Sequence, residues 1–111
     1  MRLLITSVLT SAGYEVIEAS DGARAAELAS TCRPALALLD WQMPHLSGLE
    51  VCRRVRADPQ LRTMAVVILT GHHERAYKEA AWNAGADDCL VKPFDPDAML
   101  ARIDELLFRA A

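Results

Sequence analysis

At 111 residues the chain is long enough for one domain with one core and too short for two. With 52% hydrophobic and 24% charged residues it reads as globular rather than disordered. A net charge of −3 gives no electrostatic case for nucleic acid or an anionic membrane as the main partner, and the longest apolar runs, such as Met64 to Leu69, are strand-sized and far too short to span a bilayer.

Residues 1–13 lack a basic region followed by an apolar stretch and a small-residue cleavage site, so no signal peptide is expected. Leu3, Leu4, Val8 and Leu9 fall close to helical spacing, and Gly13 stands where a left-handed terminator belongs; this predicts a helix from almost the first residue. A rival reading makes Arg2 to Ile5 a strand, which would leave too little chain before Gly13 for a crossover helix. Tyr14 to Ala19 is β-prone and reads as a strand. Ser20 or Asp21 caps a helix over Gly22 to Thr31, whose inner side is Ala25, Leu28, Ala29 and Cys32, and Pro34 stops it.

Ala35 to Asp40 is an apolar strand ending in a carboxylate, with the lack of alternation expected of a strand buried on both faces. Ser47 caps the next helix, roughly Gly48 to Ala57, with Glu50 completing a capping box; Arg53, Arg54 and Arg56 read as its solvated face. Asp58-Pro59 opens a loop. Met64 to Thr70 is the most strand-like run, again buried on both sides, and Gly71 ends it. An alanine-rich helix from His73 or Glu74 to Ala84 stops at Gly85, and Asp88 to Val91 is a short strand ending at Lys92-Pro93. Asp95 caps the last helix, Pro96 takes its first position, and Leu100, Ile103, Leu106 and Leu107 form its buried stripe.

A helix followed by four strand–helix units predicts a parallel sheet with helices on both faces. Three strands end in or beside a reactive polar residue: Asp40, Thr70 and Lys92. Parallel neighbours bring all three to the sheet edge where open α/β sheets bind ligands. A carboxylate, a hydroxyl and an ammonium there suit a phosphoryl group carried on the carboxylate, with the hydroxyl and the ammonium holding phosphoryl oxygens; such transfer also calls for a divalent cation.

These residues carry a resemblance to the receiver domain of two-component response regulators, running from Met1 to Ala111. Asp40-Trp41-Gln42-Met43-Pro44 with Gly48 is similar to that family's phosphoacceptor loop, Val67-Ile68-Leu69-Thr70-Gly71 to its switch-hydroxyl strand, and Ala84-Gly85-Ala86-Asp87-Asp88 with Lys92-Pro93-Phe94 to its lysine loop. The resemblance implies a flavodoxin-like three-layer α/β fold with a parallel sheet of four strands in this chain. It implies phosphorylation at Asp40, a switch at Thr70, phosphate binding at Lys92, a cis Lys92–Pro93 peptide, and Mg²⁺ on Asp40 and the Gln42 backbone carbonyl. It implies a cytoplasmic module that is not itself an enzyme, served by a histidine kinase or phosphotransfer protein, with no direct nucleic acid or membrane binding.

Two departures stand out. The family opens with a strand ending in an acidic pair that holds Mg²⁺, whereas no Asp or Glu here precedes Glu15. The metal site is therefore expected to be incomplete, with Mg²⁺ weak or absent. In the family's order, 2-1-3-4-5, that strand is interior to the sheet. The expected remedies are direct pairing of the Tyr14 and Ala35 strands, a switch of residues 2–6 toward strand, or cover by another chain as in a homodimer. A recorded start that omits the natural one is a further reading. The second departure is Cys89, three residues before the lysine, where the family usually has an aromatic.

Blander readings stand beside these. Asp40 alone suits a strand-end cap, Thr70 a satisfied hydroxyl and Lys92 a surface charge. His72 and His73 read as exposed loop residues, and Trp41 and Trp82 as semi-buried aromatics. Cys32, Cys52 and Cys89 are far apart and form no zinc spacing, so they read as reduced thiols. The alternative function is a receiver-like interaction or dimerisation module that works without phosphorylation. A phosphatase or other hydrolase is disfavoured by the lack of an acid pair and of a phosphate-cradling glycine loop.

Overall fold

The fold is that of a computed structural model in which residues 2–71, 75–92 and 95–110 are described, with side chains from residue 7 to 108. Five helices are seen: α1 (Arg2–Ser11), α2 (Gly22–Cys32), α3 (Gly48–Ala57), α4 (Arg75–Asn83) and α5 (Pro96–Ala110). Among the described residues the strands are β1 (Leu36–Asp40), β2 (Ala65–Thr70) and β3 (Asp88–Val91). They form one parallel sheet in the order β1-β2-β3. From β1 onward strand and helix alternate as expected, α1 is helical as read, and the rival strand at Arg2 to Ile5 is excluded.

Local chemistry sets the helix ends. The Asp21 carboxylate, rather than Ser20, caps α2 by accepting the Arg24 N–H at 2.8 Å, and Arg33 closes that helix in the left-handed conformation at φ 47°. The Ser47 hydroxyl accepts the Glu50 N–H at 3.2 Å at the start of α3. Gly85, at φ +100°, follows α4. The Asp95 carboxylate accepts the Asp97 N–H at 3.0 Å where α5 begins. His72, His73, Glu74, Pro93 and Phe94, and with them the cis Lys92–Pro93 peptide, lie outside the described residues.

The sheet separates two apolar layers. Val66 and Ile68 face one side with Ala29 of α2, Val51, Cys52 and Val55 of α3, and Ala81 of α4. Val67 and Leu69 face the other with Leu106 of α5. There α1 joins α5 through Leu9, Met99 and Ile103. Every residue of β2 is buried, as its uninterrupted apolar run requires.

Two expectations fail together at the opposite edge. Tyr14 to Ala19 forms no strand, so among the described residues the sheet has three strands rather than the expected four. In β1 only Leu39 is buried; Leu36, Ala37 and Leu38 are half-covered. The cause is common to both. Segment 14–19 is held at its ends, where the Tyr14 N–H donates to the Leu9 carbonyl at 3.0 Å, the Tyr14 hydroxyl meets Asp104, and the Gly22 N–H donates to the Pro44 carbonyl at 3.1 Å. Between those ties a slot of about 460 Å³ lies between the segment and β1. Among the described residues no strand pairing joins segment 14–19 to β1, because a strand needs a neighbour within about 5 Å.

Arg56 corrects a third expectation. It is not part of a solvated face: its guanidinium donates to the Gly85 carbonyl at 2.7 Å, the Arg62 carbonyl at 2.8 Å and the Met64 carbonyl at 2.5 Å, and pairs with Asp87 at 2.9 Å. Asp87 in turn accepts the Val66 N–H at 2.8 Å. One cation thus ties α3 to the entry of β2 and to the turn before β3. Trp82 is also exposed rather than semi-buried, at 65%.

Replacing Arg56 by Met keeps the stem and removes these bonds. It is expected to lower the unfolding free energy by about 2 kcal/mol, because hydrogen bonds to charged groups are the stronger kind; urea titration measures it. Thiol reactivity tests the core. Cys52 and Cys89 are buried, and burial pushes both thiols up, whereas Cys32 is exposed. In the folded chain an aromatic disulfide reagent is expected to titrate Cys32 quickly and the other two only on unfolding.

Candidate functional site

The carboxyl ends of the three strands bring the polar residues together. Asp40 is level with Leu69 of β2, and Thr70 is level with Val91 of β3, one residue before Lys92. The ladders continue past the strand ends: the Trp41 N–H donates to the Leu69 carbonyl at 2.8 Å, and the Lys92 N–H to the Thr70 carbonyl at 2.7 Å. This register carries Lys92 across the tip of β2. Its ammonium meets the Asp40 carboxylate in an ion pair. Thr70 lies between them at the tip of the central strand and is 1% exposed.

The loop after β1 is shaped by backbone contact. The Gly48 N–H donates to the Trp41 carbonyl at 3.0 Å, and a Cβ on Gly48 would stand 2.4 Å from the Asp40 carbonyl oxygen. The loop can close onto β1 only where no side chain intervenes. Gly22 serves the same loop from α2: a Cβ there would lie 1.8 Å from the Leu46 carbonyl oxygen. His45 takes a positive φ of 71° inside this turn. Trp41 emerges beside Asp40 and meets Tyr77 of α4 with ring centroids 5.0 Å apart. A shallow hollow lined by Trp41, Gln42, Met43, Pro44 and Ser47 opens at the surface.

Of the four site residues predicted from sequence, Asp40, Thr70 and Lys92 converge. Gln42 is exposed in the adjoining loop. Sequence reasoning missed Tyr77 as the neighbour of Trp41, for which no local signal existed. It missed Gly22 as a loop contact, although a glycine at the first position of a helix, in a slot any residue could fill, was a usable hint.

Mg²⁺ prefers six oxygen ligands drawn largely from carboxylates and water. Among the described residues no three His, Cys, Asp or Glu side chains come together as a ligand set, and the Asp40 carboxylate faces an ammonium instead. The donors described do not fit a protein-built Mg²⁺ shell.

A family profile described as "Response regulator receiver domain" matches residues 1–104. The chain is 40% identical over 106 residues to the DNA-binding dual master transcriptional regulator RpaA of Synechocystis, a match covering 96% of this chain and 44% of RpaA. It is 36% identical to the phosphate regulon transcriptional regulatory protein PhoB of Pseudomonas aeruginosa, covering 98% of this chain and 48% of PhoB. The chain thus spans less than half the length of these curated relatives. Among solved structures, the receiver domain of the Francisella response regulator 1452 superposes with a TM-score of 0.91 at 28% identity, covering 98% and 88% of the two chains. The receiver domain of the sensor histidine kinase PA1611 from Pseudomonas aeruginosa, which has a magnesium ion coordinated in its active-site cleft, gives 0.87 at 28% identity, covering 96% and 87%.

Gly48→Ala forces a methyl into the Asp40 carbonyl. It is expected to cost about 1–3 kcal/mol of stability, as overpacking does, and to shift the Trp41 emission maximum; a thermal melt followed by tryptophan fluorescence reads both.

Proposed function

The chain belongs to the response regulator receiver domain family, and from that premise we propose that Asp40 is its phosphoryl acceptor. The observation that carries the proposal is the Asp40–Lys92 ion pair beside the buried tip of β2. A phosphohistidine of a histidine kinase or phosphotransfer protein is the donor. An Asp40 carboxylate oxygen attacks phosphorus, an O–P bond forms, the P–N bond breaks, and its electron pair returns to the imidazole. Lys92 offers its positive charge to the incoming phosphoryl oxygens, which exchange for the carboxylate oxygen it holds. Thr70 supplies a hydroxyl within the same tip and reports the change to the sheet. The chain acts in the cytoplasm as a signalling module rather than as an enzyme; no described helix is long and apolar enough to cross a membrane. A net charge of −3 favours protein over nucleic acid partners for these 111 residues.

A second reading is an interaction module that works without phosphorylation. The lack of a three-carboxylate set among the described residues favours it.

One experiment separates them. The chain is incubated with acetyl phosphate and millimolar Mg²⁺, and mass and Trp41 fluorescence are followed together. Gain of one phosphoryl group with a saturable fluorescence change, both lost in Asp40→Asn, is the expected result. An unchanged mass and emission at every Mg²⁺ concentration would leave the interaction module.

A further inference from the structure

The ring contact between Trp41 and Tyr77 lies beside the Asp40 site, and the phosphoryl chemistry does not use it. Asp40 and Trp41 are consecutive but differ in surroundings. The Asp40 side chain is 43% exposed and that of Lys92 28%, so their ion pair is open to a donor arriving from solvent. The Trp41 ring is half-buried and packs at the margin of the apolar layer that contains Ala81. There it meets Tyr77 with centroids 5.0 Å apart and planes tilted by 60°. Tilted rings at this separation attract one another.

The backbone of Trp41 is tied on both sides: its N–H donates to the Leu69 carbonyl and its carbonyl accepts the Gly48 N–H. The freedom left to the ring is rotation about its side-chain bonds, among a few staggered wells. Strand alternation does not choose the well, because β1 ends at Asp40. Contact with Tyr77 does. Tyr77 is itself fixed, one turn before Ala81 on the same face of α4, and Ala81 is the residue that α4 buries. An indole is longer than the spacing of neighbouring Cα atoms, about 3.8 Å. From another well the Trp41 ring therefore reaches the carboxylate of the residue before it. The Lys92 ammonium, paired with that carboxylate, would hold the ring there, since a cation attracts the face of an indole.

We propose that Tyr77 is a positioning residue for the acceptor: its ring draws the Trp41 indole toward α4 and so keeps Asp40 open to a phosphodonor. Loss of the Tyr77 ring lets the indole turn over Asp40 and close it. The consequence for transfer rests on the reading of Asp40 as acceptor; the effect on access does not.

Access is measured without phosphorylation, by the rate at which a water-soluble carbodiimide and glycine ethyl ester convert Asp40 of the full chain to an amide, read by peptide mass. Amides to the added amine and to Lys92 are counted together, since both require the carbodiimide to reach the carboxylate. Exposed Glu50 is the reference for the reagent, and Asp87, paired with Arg56, reports any opening of the fold. Tyr77→Leu keeps an apolar side chain and removes the ring. It is expected to slow Asp40 labelling by about two- to tenfold relative to Glu50, the bias one aromatic pair supplies. Trp41→Ala in that background is expected to restore the rate. A merely structural role predicts the reverse, because a loosened α4 exposes Asp40 and speeds labelling. The proposal is overturned if Tyr77→Leu labels as fast as the unsubstituted chain or faster, or if the slowing persists once Trp41 is removed. Should the double variant open at Asp87, Trp41→Ala alone takes its place, and labelling as slow as that of Tyr77→Leu then overturns the proposal. Mass gain from acetyl phosphate is expected to rank the same chains in the same order, and another order overturns the role in transfer. If no chain gains a phosphoryl group, the unsubstituted one included, the reading of Asp40 as acceptor fails, and labelling still decides the role of Tyr77.

Discussion

The register of β2 between its two neighbours is the constraint on which the site depends. Nothing in the sequence near Asp40 attracts Lys92 across 52 residues. What brings them together is a ladder that runs one residue past each strand end, through Trp41 to Leu69 and through Lys92 to Thr70. A slip of one residue in either pairing would turn each side chain to the opposite face, placing apolar side chains where polar ones now meet. β2 resists such a slip because all six of its residues are buried, with Val66 and Ile68 packed into one apolar layer and Ala65, Val67 and Leu69 into the other.

That central strand is itself held from outside the sheet. Arg56 and Asp87 form a bracket around the entry of β2, with Asp87 accepting the Val66 N–H and Arg56 accepting no bond but donating to three carbonyls from the loops on either side. The pair is partly exposed, so its Coulomb attraction is screened by water; its value lies in satisfying backbone carbonyls that the loops would otherwise bury without partners. The polar tip and the bracketed end of β2 are opposite ends of one strand, so the bracket reaches the site through the placement of that strand.

The outer edge of β1 shows the converse. Among the described residues β2 has neighbours on both sides and β1 has one, and Leu36 and Leu38 are left half-covered although the composition of β1 is that of an interior strand. Sequence composition and tertiary environment disagree at this edge. The disagreement extends to Tyr14–Ala19, whose β propensity is not realised because propensity of that kind expresses packing against a neighbour rather than an intrinsic backbone preference.

The sequence alone was enough for whatever depends on near neighbours. Helix ends at Asp21, Ser47, Gly85 and Asp95 follow from capping chemistry within a few residues, the doubly buried character of β2 from an unbroken apolar run, and the meeting of Asp40, Thr70 and Lys92 at one sheet edge from their common place at strand ends. The sequence was silent or misleading where an outcome depends on a distant partner. Arg56 looks like any arginine on a charged helix face until the Gly85, Met64 and Asp87 groups are brought to it. Tyr14–Ala19 looks like a strand until its neighbour proves to be a slot. Trp41 acquires Tyr77 only when α4 packs. Short-range preferences are written in adjacent residues, whereas pairing and burial belong to the folded arrangement, in which groups far apart in the chain share one surface.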